Sequence, residues 1–213
     1  TWDDLNKSMI SVLESMKEEN KPIALLTQTF ASPSTSKIIS DFQKKYPNVF
    51  HVVYDSISDS KALDAFEIAY GIRALPTYDF SKAKYIVSIG ADFLGDWQGG
   101  DHDSGYVKGR IPERNSDGKA SMSKHIQIES NMSITGANAD KRIPLSPSLQ
   151  KVALAKIFGY ISGKDVGGEL PSKLDESLKK ISQDLKKAGS KGILVTGIDD
   201  VNAHLITHEI NHL

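Results

Sequence analysis

Apolar residues recur along the chain in two alternating patterns, one typical of amphipathic helices and one typical of buried strands. Leu5 and Met9 begin a run of apolar residues at helical spacing, which predicts a helix over residues 2–19. Residues 22–27 are nearly all apolar, as expected for a strand covered on both faces. Further strands are predicted at residues 49–54, 85–90, 125–129, 143–146 and 192–196. Further helices are predicted from Ser32, at 59–70, from Pro147, at 171–189 and at 199–213.

This order of strand and helix, without hairpin signals, predicts an α/β fold. We expect a doubly wound, mostly parallel, Rossmann-like sheet flanked by helices, in a single domain over residues 1–213. Residues 91–122, rich in Gly and Asp, are predicted to form one long loop, and such loops are often functional. Ligands of such sheets bind beyond the carboxyl ends of the strands. Because the chain starts at Thr1 and stops inside a predicted helix at Leu213, we expect a fragment of a longer multidomain subunit.

Composition excludes several classes of chemistry. The 213 residues include 26 basic and 27 acidic side chains, a net charge of −1, which gives no electrostatic case for nucleic acid. There is no cysteine, so the chain offers no thiol nucleophile, disulfide, cysteine zinc site or self-contained iron–sulfur cluster. Neither a membrane-spanning apolar run nor a signal peptide is present in the sequence. Dinucleotide, P-loop and serine-hydrolase motifs are absent as well.

One motif predicts a metal site. Residues 208–212 read H-E-I-N-H, which matches the zinc-hydrolase pattern of two histidines one helical turn apart with a glutamate between them. His208 and His212 would be the zinc ligands and Glu209 the general base. A catalytic zinc also needs a third protein ligand, which the pattern does not supply. The alternative is a polar border on a terminal helix.

Two other segments carry a family resemblance. Residues 71–94 read GIRALPTYDFSKAKYIVSIGADFL, and residues 128–140 read IESNMSITGANAD. Together they resemble the cofactor-binding α/β region of the molybdopterin oxidoreductase family. More narrowly, they resemble the large iron–sulfur subunits of alternative complex III, a bacterial membrane quinol:cytochrome c oxidoreductase. The similarity runs from about residue 20 to residue 160 and continues more weakly through the last strand and helix.

The resemblance implies positions for a bis-molybdopterin guanine dinucleotide cofactor. Loops at the strand ends hold its guanosine and pyrophosphate arms in catalytic members, and the metal ligand follows the second strand. Two departures imply that this site is vestigial: there is no cysteine at the ligand position, and the usual P-G-T-D segment reads PSLQ at 147–150. The implied cofactor-binding residues are Asp55, Ser56, Gly90, Ala91, Asp92, Glu129, Ser130 and Asn131.

The resemblance also implies a function. We expect a non-catalytic scaffold without molybdenum or any other cofactor, whose parent protein is an oxidoreductase with its iron–sulfur clusters in another domain. The partners would be that iron–sulfur domain and other subunits of a respiratory complex, with this soluble segment at the periplasmic face of the cytoplasmic membrane. Two alternatives stay open: a functional bis-pterin molybdenum domain, and a zinc hydrolase that uses the terminal histidines.

Overall fold

The structure is a computed structural model that describes residues 1–30, 32–114 and 117–213. The tertiary contacts of these residues divide the chain into two compact units, residues 1–58 and residues 59–213. The single domain expected over residues 1–213 stays a prediction. None of the helices in the described ranges is both long enough and apolar enough to cross a bilayer.

The first unit is a two-stranded parallel sheet with two helices. A capping box begins its first helix, because the side chains of Thr1 and Asp4 each bond to the backbone N–H of the other. Ser32 caps the second helix, and Pro33 occupies the first turn, where its missing N–H has no cost. The elements are α1 (Trp2–Glu18), β1 (Ile23–Thr27), α2 (Pro33–Lys45) and β2 (Val49–Val53).

Strand β1 does not have the environment that its sequence predicts. Ala24 pairs with Phe50, so these two residues and Leu26 share one face of the sheet. That face is open: 66% of the Leu26 surface and 50% of the Phe50 surface are exposed. The prediction that residues 22–27 are covered on both faces is therefore wrong. An all-apolar run shows that both faces can be buried, but this unit buries only one of them.

The second unit is built around a four-stranded parallel sheet with the order β7-β6-β3-β8. Its strands are β3 (Tyr85–Ile89), β4 (Glu113–Arg114), β5 (Ala120–Ser121), β6 (Lys124–Glu129), β7 (Lys141–Pro144) and β8 (Gly192–Thr196), of which β4 and β5 form a separate short antiparallel pair. Its helices are α3 (Ser60–Tyr70), α4 (Asp103–Arg110), α5 (Ile134–Ala137), α6 (Pro147–Ser162), α7 (Ser172–Ala188) and α8 (Val201–His212).

Both faces of this sheet are buried. On one face Val87, Ile128 and Leu194 belong to a core that also includes apolar residues of α6, α7 and α8. On the other face Ile86 belongs to a second core, with Phe93 and other aromatic residues. All five residues of β3 are buried, as expected for the central strand of a parallel sheet. The predicted α/β class with a mostly parallel sheet flanked by helices is confirmed.

The region after β3 differs most from the prediction. Residues 91–122 are not one loop, because they contain α4 and the β4–β5 hairpin, which the sequence did not signal. Helix α4 contains two glycines and has no strong apolar pattern, so tertiary contacts hold it in place. Tyr106 is buried in the second core, and Gly109 packs so closely on Phe80 and Ser123 that a Cβ would crowd both. The short helix α5 was also not predicted. Asn115 and Ser116, within the predicted loop, lie outside the described residues.

Candidate functional site

A cavity of about 480 Å³ lies at the carboxyl ends of the parallel strands of the second unit. We call it the strand-end cavity. Residues from four segments line it: 90–92 after β3, 129–133 at the end of β6, 147–151 at the start of α6, and 197–199 after β8. Its volume is in the range typical of small-molecule sites, and its position is the usual one for ligands of open parallel sheets.

The cavity brings together five of the residues named from the sequence. Gly90, Asp92, Glu129, Ser130 and Asn131 all line it. These residues come from the ends of two adjacent strands, β3 and β6, which pair in parallel up to Ile89 and Ile128. The sequence therefore located two walls of the cavity.

Ala91 is placed differently. It is fully buried, and its carbonyl oxygen accepts hydrogen bonds from Ser88 Oγ at 3.0 Å and from Gln127 Nε2 at 3.2 Å. It thus connects β3 to β6 beneath the cavity and does not face a ligand there.

The Asp92 carboxylate is held by the residues that follow β6. Its Oδ1 accepts from the backbone N–H of Thr135 at 3.0 Å and from the Thr135 hydroxyl at 2.6 Å. Thr135 Oγ1 in turn accepts from the N–H of Leu94 at 2.9 Å. Asp92 therefore joins the loop after β3 to residues 133–137, which we call the Ser133 turn.

The Glu129 carboxylate accepts more hydrogen bonds from within the chain than the Asp92 carboxylate does. It accepts from Ser133 N at 3.2 Å, Ser133 Oγ at 2.6 Å, Gln127 Nε2 at 3.2 Å and Arg142 Nε at 2.5 Å. Burial acts to raise the pKa of Glu129, but the hydrogen bonds from Ser133 and Arg142 leave that pKa below its usual value. Gly136 lies against this carboxylate, and a Cβ there would overlap Glu129 Oε1. The ionised form of Glu129 is thus stabilised from within the chain.

The remaining walls come from segments that the sequence located, at 147–150 as the counterpart of P-G-T-D and at 196–200 as a strand end, but none of their residues was predicted to bind a ligand. Gln150, only 6% exposed, donates from Nε2 to the carbonyl of Leu145 at 3.0 Å. Its Oε1 lies beside Gly90, whose φ of +69° and close approach both favour glycine. Lys151 forms an ion pair with Asp200 at 2.7 Å. The sequence feature that could have pointed to this wall is Gln150 itself, a polar residue in the first turn of a helix whose inner side is otherwise apolar.

Asp55 and Ser56, the positions that correspond to the molybdenum ligand, lie in the first unit. Asp55 Oδ1 accepts from the N–H of Thr29 at 2.8 Å, and Oδ2 accepts from the Thr29 hydroxyl. These hydrogen bonds lower the pKa of Asp55. Because Thr29 follows β1 and Asp55 follows β2, the carboxylate links the two strand ends. Both oxygens of Asp55 already accept hydrogen bonds, so this carboxylate does not fit as a metal ligand. Ser56 is exposed.

The terminal histidines lie on α8, as the sequence predicts. The His208 ring contacts the rings of Phe66 and Tyr70 edge-on, with centroids 5.8 Å and 5.5 Å away. Its buried Nε2 has no hydrogen-bond partner within the described ranges, and burial lowers the pKa of His208. Among the described residues no three His, Asp or Glu side chains are grouped so that they could hold a metal. His208 and His212 therefore lack the third protein ligand of a catalytic zinc within that part of the chain.

No family model matches the chain, and no curated protein is significantly similar to it.

Proposed function

We propose that the chain is a molybdopterin-oxidoreductase-like domain of a membrane quinol:cytochrome c oxidoreductase subunit, and that it serves as a scaffold without molybdenum. The observation that carries the proposal is the internal engagement of the carboxylates at the implied cofactor positions. Asp92 and Glu129 bind the Ser133 turn, and Asp55 binds Thr29. The sheet that positions a cofactor is thus retained, while its polar groups serve the fold.

The architecture supports a relation to a cofactor-binding fold. The segments with the resemblance, 71–94 and 128–140, include β3 and the end of β6 with the loops that follow them. These loops meet at the strand-end cavity, where the resemblance places the guanosine and pyrophosphate arms. In open parallel sheets this edge is where ligands bind.

The residues present do not fit the intact cofactor. Four internal donors reach the two oxygens of Glu129, so a ligand would have to displace bonds that are already made. The chain has no cysteine, and both oxygens of Asp55 accept hydrogen bonds from Thr29. This supports a scaffold over a molybdenum site.

Exposed apolar side chains support the proposal that this scaffold binds other proteins. Trp2, Leu26 and Ile57 of the first unit are all largely exposed, and Ile57 is 95% exposed. Leu26 and Phe50 moreover share one exposed face of the sheet, and apolar residues grouped on an exposed face are a feature of contact surfaces. The proposed partners are the iron–sulfur domain of the same polypeptide and neighbouring subunits at the periplasmic face of the membrane.

The functional bis-pterin domain is the second candidate, and one observation favours it. The first turn of α6 borders the strand-end cavity, beside Gly90 in the left-handed conformation. Helix N-termini attract phosphate groups, and glycine lets a ligand approach the backbone closely. If the cofactor were bound, its metal and pterin would supply electron transfer, and Gly90, Asp92 and residues 129–131, which line the cavity, would orient its nucleotide arm.

The two candidates differ in metal content. The test purifies the complete protein from its native membrane and measures molybdenum, iron, released guanine nucleotide and quinol:cytochrome c oxidoreductase activity. We expect iron and activity with molybdenum and nucleotide well below one per subunit. Stoichiometric molybdenum would support the bis-pterin domain and overturn the scaffold, and purification without iron or quinol activity would overturn the assignment to this complex.

A matched pair of variants separates the role of Asp55 from a general loss of charge. Asp55→Ala removes the carboxylate at the ligand position, and Asp41→Ala removes an exposed carboxylate elsewhere in the same unit. A scaffold predicts equal activity per assembled complex for both variants. A selective loss of activity per complex in Asp55→Ala would contradict the proposal.

A further inference from the structure

One face of strand β6 is polar although it is buried. His125, Gln127 and Glu129 follow one another on this face, and all three are at most 4% exposed. The opposite face carries Ile126 and Ile128, which belong to the main core. Buried parallel strands are normally apolar, and a buried polar group is costly unless its hydrogen bonds are made.

Gln127 fixes the proton on one nitrogen of the His125 ring. Gln127 Nε2 donates to the Ala91 carbonyl and to Glu129 Oε2, both at 3.2 Å, so its Oε1 is the atom that faces His125. The distance from His125 Nε2 to Gln127 Oε1 is 3.3 Å. Because an amide oxygen only accepts, His125 Nε2 must carry a proton.

The other ring nitrogen, Nδ1, competes with a backbone carbonyl for the proton of one hydroxyl group. His125 Nδ1 lies 3.2 Å from the Tyr106 hydroxyl, and that hydroxyl lies 3.0 Å from the Asn138 carbonyl oxygen. A phenol has one proton to donate. With a neutral His125 ring, either Nδ1 or the Asn138 carbonyl is left without a donor. With a proton on both nitrogens, His125 donates to Tyr106 and Gln127, Tyr106 donates to Asn138, and every group is satisfied.

Charged groups near the His125 ring have opposing effects on its pKa. Burial lowers the pKa of His125 to about 4, while the hydrogen bond to Gln127 and the charges of Asp140 and Glu129 act to raise it. Arg110, which is paired with Asp140 at 2.6 Å, acts to lower it. Asp140 also accepts from the backbone N–H of His125 at 2.7 Å. The ring is thus held neutral near pH 7 beside two carboxylates that favour its cationic form.

We infer that His125 is a proton-binding site coupled to the strand-end cavity, with Gln127 and Glu129 as the link to the Ser133 turn. A second proton taken from solvent completes the hydrogen bonds of the ring and strengthens the series His125–Gln127–Glu129. Coupling of this kind is reciprocal, so any change that neutralises Glu129 in the cavity wall also weakens proton binding at His125. This inference concerns the second unit alone and does not depend on the proposed function.

Nuclear magnetic resonance of the full 213-residue chain with ¹⁵N-labelled histidine tests the site. At pH 7 we expect the tautomer with the proton on Nε2. On acidification we expect both nitrogens to become protonated while the sheet stays folded, and the amide signal of Ser133 to follow the same titration curve. A proton on Nδ1 at pH 7, an unresponsive Ser133 amide, or unfolding before the ring titrates would each overturn the inference.

Two conservative variants test the link. Tyr106→Phe removes the acceptor of the second proton and should lower the titration midpoint of His125, whereas Tyr160→Phe removes a hydroxyl bonded to Asp175 and should leave it unchanged. Glu129→Gln should lower that midpoint relative to Glu169→Gln, an exposed control. Equal midpoints within either pair would contradict the coupling. If a variant does not fold, the tautomer and Ser133 measurements on the unaltered chain decide the question.

Discussion

Residues 1–58 and residues 59–213 both contain parallel strands and amphipathic helices, yet they bury very different amounts of apolar surface. In the first unit Tyr46 and Val49 are the buried apolar residues among those described, and neither α1 nor α2 has a buried residue. In the second unit both faces of the sheet are covered, and every residue of β3 is buried. The difference follows from strand number, because a two-stranded sheet offers too little area to support layers on both faces.

An apolar pattern along a helix and a buried core beneath it are therefore separate properties. Helix α1 has a regular apolar stripe, as the second unit's α7 does, but α7 buries Leu178, Ile181 and Leu185 while α1 buries none. The stability of a helix in a protein comes mainly from packing of its apolar face. We therefore expect the second unit to carry most of the folding free energy of the chain.

The largest effect should come from the core of the second unit. Ile128→Ala removes a fully buried side chain of the main core and should lower the free energy of unfolding by about 2 to 5 kcal/mol. Ile57→Ala makes the same chemical change at a residue that is 95% exposed and should change it by less than about 0.5 kcal/mol. Urea unfolding followed by Trp97 fluorescence, in a Trp2→Phe background, measures both. Similar losses in the two variants would contradict the comparison.

This difference also shows what can be predicted from the sequence. The strands of the two parallel sheets and most helices were predictable from local apolar patterns, whereas the β4–β5 pair was not. Helix α4 was not, since Tyr106 and Gly109 hold it through contacts with residues far along the chain. At the candidate site the walls formed by Gly90 and Glu129 follow from the strand ends and the family resemblance. Residues 150 and 199 belong to segments that the sequence located, but their approach to the cavity, and that of Lys151, could not be predicted because it depends on how α6 packs against the sheet.

Acid should destabilise the second unit through its buried histidines. Burial lowers the pKa values of His125 and His204 to about 4, against 6.5 in the unfolded chain. The unfolded state therefore binds more protons below pH 6.5, and stability present above that pH is lost as the pH falls from 6.5 towards 4. The loss is about 2 kcal/mol for each histidine at pH 5. Urea titrations at pH 7 and pH 5 measure it, and His204→Gln should remove about half of the difference.

A glycine in the Ser133 turn should matter by a smaller amount. Gly136→Ala places a Cβ against the Glu129 carboxylate, which four hydrogen bonds hold in position, and should cost about 1 to 3 kcal/mol. Gly167→Ala is the matched control, since a Cβ at Gly167 has no atom within 4 Å. Thermal or urea unfolding of the two variants compares them. A Gly136→Ala variant as stable as Gly167→Ala would show that the turn can move away from Glu129.

The smallest effect on stability is expected on the open face of the first unit. Leu26→Thr places a β-branched residue with a high strand propensity at an exposed strand position, so the free energy of unfolding should change by less than about 0.5 kcal/mol. If this face contacts the partners proposed above, the same substitution should reduce assembly of the proposed complex, because the apolar area buried there is lost. Urea unfolding of the 213-residue chain measures the effect on stability. Recovery of the assembled complex from membranes measures the effect on assembly. A loss of stability in the chain itself, comparable with that of a core variant, would mean that the two units do not differ in packing as described.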